Sequence, residues 1–104
     1  MNRASQIEIA RIAGHYTSKG TRSAGQTHRE MIINIIKAAR DKQFALRDVL
    51  RALSLQQYQN KVSSMTKCFD MERAAASSYL RRDLKMKDVH ANLFIEFVWH
   101  DRIM

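Results

Sequence analysis

The sequence predicts a mainly α fold in one compact domain. Its 104 residues contain no proline and only three glycines, so little in the chain interrupts helices. Apolar residues recur at three- and four-residue spacing in several successive stretches, which is the pattern of amphipathic helices. The hydrophobic content of 45% is enough for one core, and the length fits one domain.

The first predicted element is a short helix at residues 6–13. Ser5 and Glu8 have the spacing of a capping box, in which the two residues satisfy each other's backbone N–H groups. Three isoleucines and an alanine within the segment form an apolar stripe. We therefore expect a short helix that begins just after Ser5.

Residues 14–26 are predicted to form a flexible basic arm. The stretch GHYTSKGTRSAGQ contains all three glycines, carries Lys19 and Arg22, and has no acid. Such an arm is able to contact a minor groove or a neighbouring phosphate, although a plain connection with incidental charges explains it equally well. The chain is accordingly divided into residues 1–26, a helix and arm, and residues 27–104, the main domain.

Three amphipathic helices follow the arm. Thr27 and Glu30 form a second capping box, after which apolar residues recur on one face, and this predicts helix 28–42. Residues 45–53 repeat the same apolar period with charged residues on the other side. Residues 56–69 show one apolar stripe among polar residues, which predicts the third helix.

The last two elements are a helix and an ambiguous segment. Residues 72–84 are alanine-rich, begin with an acid and complete a helical pattern. Residues 89–99 fit a helix by period, but Ile95, Phe97 and Trp99 alternate as they would in a strand. β-Branched and aromatic enrichment favours the strand, so we expect a C-terminal strand or β-wing beside the helices.

The charge of the chain predicts a polyanionic partner. Its net charge is +8 and its isoelectric point is about 10.2, which attracts nucleic acid. The positive charge is uneven, because residues 89–104 carry a net charge of −1. We therefore expect double-stranded DNA as the partner, with its contacts outside the C-terminal segment.

Catalytic and metal-binding patterns are not found in the sequence. The four histidines and Cys68 lack metal-ligand spacing, and there is no glycine-rich phosphate loop or nucleophile elbow. Cys68 lies in an amphipathic stretch and is expected to be a buried small hydrophobe. We therefore expect a protein that is not an enzyme, with no cofactor and no metal. One cysteine and no segment typical of a signal peptide favour a reducing, cytoplasmic location.

Residues 62–85, VSSMTKCFDMERAAASSYLRRDLK, resemble the helix-turn-helix of bacterial transcription regulators. The resemblance implies that Phe69 ends a supporting helix, that Asp70 forms the turn and that Met71 fills the angle between the helices. The turn position, often a glycine with positive φ, is an aspartate here, and aspartate tolerates that backbone better than most residues.

The resemblance implies that segment 72–84 is the recognition helix and that it reads the major groove. Ala76, Tyr79 and Leu80 face the supporting helix, and the opposite face carries groups that contact bases or phosphates, with Arg73 as the favoured base contact. The predicted DNA-contacting residues are Arg73, Ala74, Ser77, Ser78, Arg81, Arg82, Lys61, Lys67, Lys85, Lys19 and Arg22.

Several alternatives remain open at this stage. An ordinary helical hairpin with a solvated basic face explains residues 62–85 without DNA. A second assignment of the helix-turn-helix uses residues 45–53 as the supporting helix and residues 56–69 as the recognition helix. Residues 86–99 form either the wing of a winged helix or the seam of a homodimer, which we favour for a paired regulator. The rival functions are a small adaptor that docks another protein through its apolar C-terminal segment, and an RNA-binding protein.

Overall fold

The computed structural model describes residues 2–17 and 26–103, and these residues form a mainly helical domain. Their radius of gyration is 13.1 Å, close to the value of about 13 Å expected for a compact chain of this length. The helices are α1 Arg3–Thr17, α2 His28–Asp41, α3 Leu46–Ser54, α4 Gln59–Thr66, α5 Arg73–Ser78 and α6 Asp88–Ile103. A 3-10 turn at Lys67–Asp70 and a π-helical turn at Tyr79–Asp83 extend α4 and α5.

The core is built around α2, which packs against α1, α3, α4 and α6. Four isoleucines of α2 are fully buried, and they span nearly half of the circumference of the helix. The predicted helix 28–42 is therefore confirmed. The isoleucines are Ile32, Ile33, Ile35 and Ile36.

Helix α1 is longer than predicted. It begins at Arg3, where the Asn2 side chain accepts a hydrogen bond from the backbone N–H of Ser5 at 2.8 Å. The predicted Ser5–Glu8 capping box is therefore wrong, because Ser5 lies inside the helix. Glu8 instead forms ion pairs with Arg11 and Lys42, both at 3.2 Å.

The predicted arm is partly helical. Residues 14–17 belong to α1, which continues through Gly14 to Thr17. Lys19 and Arg22 lie outside the described residues. Ile9 and Ile12 of α1 are buried against α2 and α3, so α1 contributes to the common core.

The predicted capping box of α2 is present. The Thr27 hydroxyl accepts from the Glu30 backbone N–H at 3.1 Å, and Glu30 Oε1 accepts from the Thr27 N–H at 3.0 Å. The helix ends with Gln43 at φ 70°, and the Phe44 N–H donates to the Ala39 carbonyl. This is a Schellman ending with glutamine where glycine is usual.

Helix α3 confirms the predicted helix 45–53, with its N-terminus capped from α6. Ala45 offers no side-chain cap, and Asp101 Oδ2 accepts from the Leu46 N–H at 3.0 Å. The other oxygen of Asp101 accepts from Arg40 at 2.7 Å, and the Arg40 guanidinium lies over the Phe97 ring. These contacts join α2, α3 and α6 at one end of the domain.

The C-terminal segment is a helix, and the predicted strand or β-wing at 89–99 is wrong. Ala91, Phe94, Ile95 and Val98 are buried at three- and four-residue spacing, so one face of α6 enters the core. Phe97 and Trp99, which suggested an alternating strand pattern, lie at the two edges of that face, and their rings are half-buried. No described residue forms a strand.

Candidate nucleic-acid interface

The connection between α4 and α5 differs from the predicted turn. Regular α-helix ends at Thr66, and Phe69 lies within the 3-10 turn that continues to Asp70. Asp70 does not adopt the positive φ considered for it, because the non-glycine residues with positive φ in the described chain are Gln43 and Lys85. The predicted third helix, 56–69, is thus α-helical only from Gln59 to Thr66.

The segment predicted as the recognition helix is helical but packs on an unexpected neighbour. Residues 73–83 combine α5 and the π-helical turn, and they pack mainly on α6, whereas α4 packs mainly on α3. Ala76 and Leu80 are fully buried, as predicted for the inner face. The Tyr79 hydroxyl donates to the Ser64 carbonyl at 2.8 Å and so joins this segment to α4.

The outer face of residues 73–83 is exposed and carries two arginines with no carboxylate at ion-pair distance among the described residues. Arg73, Ala74, Ser78 and Arg82 are all exposed. At about 100° per residue, Ala74 and Ser78 lie opposite buried Ala76, and the two arginines flank them. The structure therefore places Ala74 and Ser78 on the outer face and the two arginines on its opposite flanks, with Arg73 on the flank that faces α6.

Arg81 belongs to the same surface but is held by local partners. Its guanidinium forms an ion pair with Asp88 at 3.0 Å and donates to Asn92 at 3.0 Å and to Ser77 at 2.9 Å. These contacts fix Arg81 against the start of α6 and half-bury Ser77. Both residues therefore support the helix more than they present free groups to a ligand.

A groove of about 490 Å³ runs between α5 and α6 beside this surface. It is lined by Arg73, Ser77 and Arg81 on one side and by Asn92 and Glu96 on the other. Glu96 gives this groove an acidic wall, which disfavours a phosphate at its base. The outer face is therefore a better position for an anionic ligand than the groove.

The other predicted contact residues lie apart from this face. Lys67 is exposed at the start of the 3-10 turn, and Lys61 is half-buried on α4. Lys85 is exposed after the π-helical turn, where its φ of 56° ends the helix. The structure does not gather these three lysines into one site with Arg73.

Sequence reasoning missed a second basic surface between α3 and α4. Arg47 and Arg51 are exposed on α3 and line a cleft of about 250 Å³ together with Ser63 and Thr66 of α4. The guanidinium of Arg47 lies over the Phe69 ring, 5.5 Å from its centre. The i, i+4 spacing of the two arginines on the polar face of α3 was the signal that marks this surface.

One buried ionisable pair lies away from both surfaces. Glu30 is 1% exposed, and its Oε2 lies 3.1 Å from Nδ1 of His90. Burial acts to raise the pKa of Glu30, but the Thr27 hydrogen bonds and the nearby His90 and Lys87 outweigh it, so the pKa lies below its ordinary value. The carboxylate is therefore ionised at neutral pH, and one of its oxygens faces the imidazole of His90 on α6.

Cys68 is buried, as the sequence predicts. Burial raises the pKa of its thiol to about 11, which makes the reactive thiolate scarce at neutral pH. No cluster of three or more potential metal ligands occurs among residues 2–17 and 26–103. Within the same residues, no helix has the length and apolarity that crossing a bilayer requires.

Comparison with protein-family models, with curated proteins and with solved structures found no match to this chain. The class that the structure itself defines is a compact, mainly helical domain.

Proposed function

We propose that this protein binds double-stranded DNA through the outer face of residues 73–83. The observation that carries the proposal is the exposed strip of Ala74 and Ser78, flanked by Arg73 and Arg82. Small and hydroxyl side chains permit close approach to base edges, and arginine is suited both to guanine and to phosphate.

The dimensions of the segment suit a major groove. A helix with its side chains is about 10–12 Å across, and the major groove of B-form DNA is about 12 Å wide, so a helix lies within it. Arg73 lies in the first turn, where recognition helices commonly contact bases, so it is the proposed base contact. Arg82 lies near the other end and on the opposite flank, where it meets a phosphate.

The packing of the segment supports a rigid docking surface. Ala76 and Leu80 fix its inner face to the core, and the Tyr79 hydroxyl bonds to α4. The Arg81 guanidinium also contacts Asp88 and Asn92 of α6 through an exposed ion pair and a hydrogen bond. A surface fixed in advance loses little conformational entropy on binding, which favours selective recognition.

The rival functions receive less support from the packing. The adaptor hypothesis needs an available apolar C-terminal segment, but Phe94, Ile95 and Val98 are buried in the chain's own core. The RNA-binding hypothesis needs exposed aromatic stacking platforms, and Phe97 and Trp99 are half-buried against that core. The proposed DNA contacts, in contrast, come from exposed side chains, those of Arg73, Ser78 and Arg82.

The finer proposal is a sequence-specific transcription regulator that acts as a homodimer. Two-fold symmetry would pair two copies of residues 73–83 on half-sites about one helical turn apart. Five apolar residues of segment 86–99, first assigned to a dimer seam, are buried within one chain. Sedimentation of the protein with and without duplex measures whether it is a dimer.

The test is selection of random DNA duplexes by the purified protein at near-physiological salt, where purely electrostatic binding is weak. We expect an enriched motif, and we expect Arg73→Ala to relax the preference at one or two positions, since a good base contact contributes about 1–3 kcal/mol of discrimination. Arg82→Ala should weaken binding to all sequences alike. A lack of enrichment would contradict sequence-specific reading.

The selection also separates the two possible reading helices. Asn60 is exposed on α4, which is the recognition helix in the second assignment of the helix-turn-helix. An asparagine side chain can form two hydrogen bonds with adenine. If α4 reads the bases, Asn60→Ala changes the selected motif and Arg73→Ala does not. Under our proposal, the opposite result is expected. Lys37→Ala, which removes an exposed charge from α2, serves as the matched control.

A further inference from the structure

The cleft between α3 and α4 has the composition of a phosphate-binding site. Arg47 and Arg51 form one wall, and the hydroxyls of Ser54, Ser63 and Thr66 lie around it. Arginine and hydroxyl groups are the side chains that most often contact DNA phosphates. The floor is formed by Leu50 and Val62, which are buried.

The charges of this cleft are not neutralised by the protein. No carboxylate lines it, and no carboxylate of the described residues lies at ion-pair distance from Arg47 or Arg51. Asp70 and Asp101 line an adjoining cavity on the other side of Arg47. Arg47 therefore has two carboxylates in its neighbourhood, whereas Arg51 does not line the cavity that contains them.

The position of Arg47 favours anion binding, because a neighbouring aromatic ring restrains its side chain. Its guanidinium lies over the half-buried Phe69 ring, which limits the orientations of the side chain. Arg51 follows one turn later on the same face of α3, so the two guanidinium groups extend from neighbouring positions. The segment 44–69 has a net charge of +3 and contains a single acid, Asp48, which does not line the cleft.

We propose that this cleft holds backbone phosphates of the duplex that residues 73–83 read. This inference rests on the proposed function and adds a second contact surface to it. Helix α4 lies between the two surfaces, since Ser63 and Thr66 line the cleft while the Ser64 carbonyl accepts from Tyr79. The cleft fixes the register of the protein on the duplex and carries no sequence information itself.

The test compares the salt dependence of duplex binding for four proteins: wild type, Arg51→Gln, Arg47→Gln/Arg51→Gln and Lys37→Gln. Each lost phosphate contact should reduce the slope of log K against log salt by about 0.9, so the double variant loses about 1.8. Affinity should fall about tenfold for each arginine. The Lys37→Gln variant makes the same charge change on α2 and should keep the wild-type slope.

A second variant guards against an effect on folding. Ser63 is exposed in the cleft, so Ser63→Glu places a carboxylate beside both arginines without disturbing the core. We expect weaker binding and an unchanged unfolding midpoint. The motif selected from random duplexes should stay the same in all cleft variants.

The outcomes distinguish this inference from the proposed function. Failure of the wild type to bind duplex at low salt would overturn both. Duplex binding by the wild type with an unchanged slope for the double arginine variant would overturn the cleft assignment alone. A changed motif in the cleft variants would also overturn it, because it would make the cleft a base-reading surface.

Discussion

Replacement of Glu30 by glutamine should destabilise the domain measurably at neutral pH. The side chain is 1% exposed, and both of its oxygens face polar groups, the Thr27 N–H at 3.0 Å and His90 Nδ1 at 3.1 Å. Glutamine has nearly the same shape but no charge. The substitution therefore removes the charge-assisted part of the hydrogen bond from the Thr27 N–H and leaves the packing in place.

The expected loss follows from the difference between charged and neutral hydrogen bonds. Bonds to charged groups contribute about 1.5–3 kcal/mol and neutral bonds about 0.5–1.5 kcal/mol, so Glu30→Gln should lower the free energy of unfolding by about 1 kcal/mol. For a domain of this length, that corresponds to a fall of about 4–8 °C in Tm. Urea unfolding and thermal unfolding, both followed by circular dichroism, measure the two quantities.

The pH dependence provides an independent check on the same carboxylate. Because the folded-state pKa of Glu30 lies below its unfolded value, its contribution is present above the unfolded value and is lost as pH falls through the folded one. The difference between wild type and Glu30→Gln should therefore shrink in acid, below about pH 4.3. Equal stability of the two proteins at pH 7 would refute the reasoning.

Three further predictions concern other parts of the fold. Gln43→Gly should raise the free energy of unfolding by about 0.5–1 kcal/mol in urea titrations, because glycine relieves the left-handed backbone at φ 70°; a loss of stability would contradict this. Tyr79→Phe should cost about 1 kcal/mol by removing the hydroxyl bond to the Ser64 carbonyl, and an unchanged urea midpoint would exclude that bond. Cys68 should react with a thiol reagent at pH 7 only as fast as the protein opens, since it is buried with a pKa of about 11; rapid modification of the native protein would show that the thiol is accessible.

The helices of the middle of the chain were predictable because local signals and tertiary packing agree there. The capping box of Thr27 and Glu30 marks the start of α2. The apolar period after it marks how far the helix continues. The inner face of residues 73–83 was likewise predicted correctly at Ala76 and Leu80. In these segments, the hydrophobic period alone fixes which side chains enter the core.

The C-terminal helix was missed because its local preference opposes its environment. The residues of 89–99 are rich in β-branched and aromatic side chains, which favour strands only as a weak, context-dependent tendency. The buried positions Ala91, Phe94, Ile95 and Val98 follow the helical period, and packing on α2 and α5 decides the outcome. No partner strand is available among the described residues.

The candidate site was only partly predictable, because contacts between distant segments determine which charges are free. Arg81 was grouped with Arg73 by position, but Asp88 and Asn92 occupy its guanidinium. The cleft of Arg47 and Arg51 depends on the packing of α3 against α4, which helical periodicity does not specify.

The central claim is that the exposed arginines of this domain bind a DNA duplex, and a salt titration of wild-type affinity for one duplex tests it most directly. Three phosphate contacts, from Arg47, Arg51 and Arg82, predict a slope of about −2.5 to −3 in log K against log salt, and the base contact of Arg73 is not counted in it. A slope in that range, with measurable binding at low salt, is the result we expect. No detectable binding at low salt, or binding whose strength does not change with salt, would contradict the account.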